Sequence, residues 1–331
     1  MVTDARMVWR GLVWLAAAVV VLCAPVFLGG CSDEAGPSAS ARRPGPMRVV
    51  VTIPPLMWAA REVAPPDAEV TLILAPGQSE HGFEITPSQF RAINDADLVV
   101  MVGHGLEPKV DSTLALAKRP WRRVVNFERI EGVEAIAGDS CTPGCGDGHH
   151  HHPYAADPHL WLDPVAMGVF VDRVGAAVKE LVLSGTVAVD PEAQRSAIAR
   201  TDEAVARLKA ECAAMDRAYR ERLASAPSKR IVTHHNAYSY IARRYGLEVA
   251  AVLRPIEVVE PTPGDLKEVI TAIREGGVRA IFVEPQFSST AAERVARSTG
   301  IKVLTIDPLG DGDWAATMRA NLDALALGLS E

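Results

Sequence analysis

The chain has 331 residues, of which 48% are hydrophobic, 23% charged and 5% aromatic. That is a globular composition, so wholesale disorder and collagen-like repeats are excluded, and the length suits roughly two domains with a core that needs no disulfide staples. Its 34 Lys and Arg against 41 Asp and Glu give a formal charge of −7; an acidic chain without a basic block is a poor nucleic-acid ligand and suits a small cation.

The first 30 residues read as a targeting segment rather than part of a fold. Arg6 and Arg10 precede an apolar run from Gly11 to Leu28, and Leu28-Gly29-Gly30-Cys31 closes it. Small residues before a cysteine resemble a bacterial lipobox. Residues 1–30 are therefore expected to be a lipoprotein signal peptide, with Cys31 the lipidated first residue of the mature chain. An uncleaved membrane anchor is the competing reading. Residues 31–46, rich in Ser, Ala, Gly and Pro, read as a flexible tether.

Beyond the tether, apolar β-branched runs alternate with helical patterns, which predicts parallel sheets. Predicted strands are Arg48–Ile53, Glu69–Leu74 and Asp97–Val102, then Arg230–Thr233, Glu248–Leu253, Ala280–Glu284 and Lys302–Ile306. Predicted helices are Leu56–Val63, Pro87–Asn94, Tyr238–Tyr245, Pro263–Glu275 and Thr290–Thr299. Between the two sets, Asp190–Ser225 carries Ile198, Val205, Leu208, Cys212, Met215 and Tyr219 on one helical face. A helix of that length spans about 50 Å and can run the height of two lobes as a stiff spine. The expected architecture is α/β. An N-terminal lobe (47–187) and a C-terminal lobe (227–331), each with a mainly parallel sheet flanked by helices, are joined by one long backbone helix (188–226).

Cysteine is sparse. Cys141 and Cys145 could close a small disulfide loop or join neighbouring histidines at a metal, while Cys212 reads as a buried core thiol. Trp58, Trp121, Trp161 and Trp314 read as core.

Histidine placement carries the chemistry. Of nine histidines, four are contiguous: His149, His150, His151 and His152, in a Gly-rich loop (138–153) that has nothing to pack. Their imidazoles, mostly neutral near pH 7, are available for weak metal contact as auxiliaries to a main site. His81, His159 and His235 lie on loops at the carboxyl ends of predicted strands, where open α/β sheets bind ligands. His234 would point away from His235 if the strand continues and reads as structural or as a support behind a ligand, and His104 stands at a further strand end. There is no HExxH and no P-loop.

Four segments together bring a family into view: Gly77-Gln78-Ser79-Glu80-His81 followed by Thr86-Pro87-Ser88; Asp157-Pro158-His159-Leu160-Trp161-Leu162-Asp163-Pro164; His235-Asn236-Ala237-Tyr238-Ser239-Tyr240; and Glu284-Pro285-Gln286 with Asp307-Pro308-Leu309-Gly310. Over residues 47–331 the chain resembles the periplasmic zinc-binding lipoproteins, solute-binding proteins of zinc and manganese ABC transporters. The resemblance implies a protein that captures Zn²⁺ outside the cytoplasmic membrane, is not an enzyme, and acts as a lipid-anchored monomer that delivers the ion to an ABC permease with its cytoplasmic ATPase. It implies a metal in the interlobe cleft with His81, His159, His235 and Asp307 as ligands, two from each lobe, and Glu284 as an acceptor for a ligand imidazole.

Three imidazoles with one carboxylate suit tetrahedral zinc. Manganese-selective relatives place a carboxylate where His235 stands, so manganese or another divalent ion is the nearest alternative. A zinc-dependent hydrolase is the alternative from another class, but four protein ligands would leave no position for water.

Overall fold

A computed structural model describes residues 42, 45–75, 77–137, 156–187, 190–254 and 260–330. The 1–30 segment, Cys31, Cys141, Cys145 and the four auxiliary histidines His149, His150, His151 and His152 lie outside the described residues.

Two four-stranded sheets, both wholly parallel, carry the architecture. The first contains β1 (Arg48–Val51), β2 (Glu69–Leu72), β3 (Leu98–Val100) and β4 (Arg123–Val125) in the order β2-β1-β3-β4. The second contains β5 (Arg230–Thr233), β6 (Glu248–Val252), β7 (Ala280–Val283) and β8 (Lys302–Thr305) in the order β6-β5-β7-β8. Val49–Val51 and the whole of β7 are buried, as continuous apolar runs in a sheet covered on both faces should be.

The helices are α1 (Pro54–Val63), α2 (Pro87–Asp95), α3 (Pro108–Leu116), α4 (Pro164–Leu183), α5 (Pro191–Ala224), α6 (Ser239–Tyr245), α7 (Pro263–Gly276), α8 (Thr290–Thr299) and α9 (Trp314–Leu329). Proline opens α1 to α5 and α7, where its missing N–H has no helical partner to lose. Thr86 and Gln89 form a capping box at α2, and Asp163 caps α4 through the Val165 and Ala166 amides.

The spine is α5, 34 residues capped by Asp190. Its buried face is Ala197, Thr201, Ala204, Leu208, Cys212, Met215, Tyr219 and Leu223, so small residues line its first half. Ile198 and Val205 of the expected stripe are only partly buried. Val205 instead meets α4, where a Cβ on Gly175 would stand 2.4 Å from Val205 Cγ2, so a glycine is what lets the two helices approach. Thr201 Oγ1 donates to the Val63 carbonyl at the end of α1, and Tyr219 Oη donates to the Met318 carbonyl in α9. One helix therefore bonds to both lobes.

A single apolar cluster runs from Met47 to Leu329 through both lobes. Trp161 is its hinge-pin: its indole N–H donates to the Pro308 carbonyl, and the Trp314 indole N–H donates to the Trp161 carbonyl, both at 2.7 Å. Trp58 packs against Trp314. Trp121 departs from the core reading; it is only partly buried, beneath the Arg119 guanidinium.

Candidate metal centre

Three histidines converge where the loops after the two sheets meet. His81 follows β2, His159 precedes α4 at the start of a single turn of 3₁₀ helix, and His235 follows β5. Their rings form a near-equilateral triangle with centroids 5.2, 5.2 and 5.6 Å apart. His159 Nε2 lies 3.3 Å from His81 Nε2 and 3.3 Å from His235 Nε2. Glu80, buried beside them, brings Oε1 to 3.6 Å from His159 Nε2 and 3.8 Å from His235 Nε2. One ligand atom from each of the four residues falls within 4.8 Å of all the others.

The far side of two rings explains why the Nε2 atoms point inward. His159 Nδ1 lies 2.7 Å from Asp157 Oδ1, which also accepts the His159 amide. His235 Nδ1 lies 2.7 Å from both Glu284 oxygens. A carboxylate can only accept, so Nδ1 carries the proton in each neutral ring and Nε2 keeps its lone pair for the centre.

Charge is balanced within this buried set. Burial outweighs neighbouring Glu80 and drives His81 down to about 3. Burial also opposes charge on His159 and His235, but Asp157 with Glu80 holds the first up at about 10, and Glu284 with Glu80 holds the second at about 8. Burial would raise Glu80, yet the surrounding histidines pull it to about 2. Near neutral pH the centre therefore holds protons on His159 and His235 that an incoming cation must displace.

Three of the expected ligands, His81, His159 and His235, are brought together; Asp307 is not part of the group. Its Oδ1 accepts from the Gln286 amide at 2.8 Å and from the Leu309 backbone N–H at 2.9 Å, so it is spent on the turn that opens Asp-Pro-Leu-Gly. The carboxylate in the group is Glu80, which sequence reasoning passes over beside His81. Residues after the first sheet thus supply three of the four groups, and the loop after β5 supplies one, in place of the two and two expected. Glu284 stands where expected, as an acceptor for a ligand imidazole. The expected auxiliary contacts of His149, His150, His151 and His152 fall outside the described residues. His234 turns away: its Nδ1 accepts the Glu284 backbone N–H at 3.3 Å and its ring packs on Phe287. His104 lies outside the group, at φ 54° between Gly103 and Gly105, which are also left-handed.

Residues 49–328 match the family model described as zinc-uptake complex component A, periplasmic (ZnuA). The chain belongs to the ZnuA family. This ZnuA-family chain is 26% identical over 328 residues to the high-affinity zinc uptake system protein ZnuA of Bacillus subtilis, covering 96% of each. It is 24% identical over 308 residues to zinc-binding protein AdcA of Streptococcus pyogenes, covering 86% of this chain and 56% of that protein, so it spans little more than half of that relative's length. A crystal structure titled ZnuA shares the fold, with a TM-score of 0.70 over 86% of this chain and all of that one at 22% identity. The two lobes, parallel sheets and long connecting helix are thus a ZnuA-type α/β fold.

Proposed function

We propose that this protein captures Zn²⁺ outside the cytoplasmic membrane and delivers it to an ABC-type permease, driven by a cytoplasmic ATPase, for import. The observation that carries the reading is the 3.3 Å separation of the Nε2 atoms. Zinc bonded tetrahedrally to imidazole at about 2.0–2.1 Å spaces neighbouring ligand atoms by about 3.3–3.4 Å. His159 therefore stands at a tetrahedral edge length from both His81 and His235, which suits these three rings as zinc ligands with Glu80 as the fourth and with Glu284 and Asp157 orienting two of the rings.

Four protein groups complete the coordination shell. That favours capture over hydrolysis, since a hydrolase keeps one position for water. Three nitrogens favour zinc over manganese, whose sites are richer in oxygen. Zinc is cargo here, and its release requires the ligand loops to separate. Lipidated Cys31 holds the mature protein at the membrane as a monomer, and residues 31–46 act as the tether. His149, His150, His151 and His152 offer weak auxiliary contacts that feed the centre.

The test is a zinc titration of the soluble chain from residue 32 in trace-metal-clean buffer, in competition with a chelator. One tight equivalent that His159→Ala abolishes supports the reading. Tight binding that survives His159→Ala, or its absence in the wild type, refutes it.

A further inference from the structure

The neck that carries His159 is clasped from the opposite lobe. Ile136–Ala137 and Ala156–Asp157 come together as a short antiparallel pair, with a bridge between the alanines and the Asp157 amide donating to the Ile136 carbonyl at 2.8 Å. Tyr240, the second residue of α6 and buried, meets both sides of this neck. Its hydroxyl accepts from the Ile136 backbone N–H at 3.0 Å and donates to the Asp157 carbonyl at 2.7 Å. Two more side chains of α6 reach the same segment: Arg243 donates to the Glu134 carbonyl, and Arg244 pairs with Asp163. Asp157 is the residue whose carboxylate fixes both the amide and the ring of His159. Four residues before α6 begins stands His235.

We propose that Tyr240 is a positioning residue for zinc binding, its hydroxyl fixing the Asp157 backbone and through it the His159 imidazole in register with His235. The proposal rests on the zinc-capture reading above. A hydroxyl does both through a single atom, donating to one strand of the neck and accepting from the other. Because α6 follows directly from the His235 loop, the same short element sets a ligand from each lobe. Breaking the Tyr240 contact would loosen Asp157 and His159 together, which ties metal release to the movement of this neck rather than of a whole lobe.

Tyr240→Phe keeps the ring and removes the hydroxyl. Tyr245→Phe is the control: its hydroxyl, on the same helix, bonds Asp216 of α5 at 3.1 Å, away from the neck. Loss of a ligand's direct carboxylate partner costs about 10–100-fold in affinity, so a group one step further out should cost about three- to tenfold. Tyr240→Phe should weaken zinc binding by that factor, speed its dissociation, and shift the His159 ring Nδ1 resonance of the metal-free protein. Tyr245→Phe should lower the melting temperature and leave zinc affinity unchanged. In the unaltered protein, zinc should slow hydrogen exchange at the Ile136 amide. Wild-type affinity in Tyr240→Phe, an equal loss in Tyr245→Phe, or Ile136 exchange indifferent to zinc would each overturn the proposal. The wild-type titration run alongside tells that failure from failure of the zinc reading.

Discussion

Glu284→Gln separates two effects of one carboxylate. In the wild type burial works against a charged His235, but Glu284, with both oxygens 2.7 Å from Nδ1, raises its pKa to about 8. The amide can still accept from Nδ1 but carries no charge, so the ring becomes a poorer zinc ligand, by about 10–100-fold in affinity. It also becomes a poorer base, which works the other way. At pH 6 a site whose imidazole has a pKa of about 8 binds about 100-fold more weakly than its deprotonated form. With that charge gone, burial leaves the ring at or below the ordinary value of about 6.5, where it loses at most about fourfold at that pH. At least about 25-fold is thereby recovered, so the variant's deficit should be about 10–100-fold at pH 9 and about fourfold or less at pH 6. Competition against a fluorescent chelator between pH 6 and 9, with circular dichroism to confirm folding, measures it. A deficit equal at both ends, or none at pH 9, would refute the geometry assigned to His235 and Glu284.

Glu80→Gln should weaken zinc binding by at least tenfold while Asp307→Asn changes it by less than threefold, because only Glu80 stands among the ligand atoms; the same chelator competition reads both. Stripping the zinc should lower the melting temperature on the order of 10 °C when the loaded protein holds zinc at 1,000 times Kd, an effect of about 4 kcal/mol. Solution scattering of the stripped and loaded forms should superimpose, since the shared core, the Trp161 bonds and α5 oppose lobe rotation. Gly175→Val should cost about 1–3 kcal/mol in urea unfolding by driving a branched side chain into Val205.

The elements that announce themselves in the sequence are those with a single period or a clear stop. Stretches such as Val49–Val51 and Ala280–Val283 are unbroken apolar runs, and α8 is legible to the residue from Thr290 to Thr299. Several strands end one or two residues earlier than their apolar runs, although backbone hydrogen bonds such as Leu74 N–H to the Thr52 carbonyl carry the pairing past the last strand residue. Pro54 and Pro55 look like a stop but are the first turn of α1, where proline is tolerated. The helix α4 escapes because its apolar residues occupy most of its surface, buried against sheet and spine together, leaving little polar face to set a period. The strand β4 has only two apolar residues, Val124 and Val125, whereas the equally short β3 lies in the five-residue apolar run Leu98–Val102, which gives it away.

At the metal centre the histidines are legible through their flanking residues, since Asp-Pro-His and His-Asn-Ala-Tyr each place a ring after a turn. Glu80 is not, because a loop has no period and its neighbour His81 draws the assignment. Asp307 stands in a more conspicuous turn, and hydrogen bonding to Leu309 and Gln286, which only the folded chain displays, decides its place.

The most direct measurement is X-ray absorption at the zinc K-edge of the loaded, metal-clean protein, repeated on His159→Ala loaded with one equivalent. The account predicts four nitrogen or oxygen neighbours at about 2.0–2.1 Å, with multiple scattering from three imidazoles that falls to two in the variant. Sulfur bonded to the zinc, or an imidazole count unchanged by His159→Ala, would contradict it.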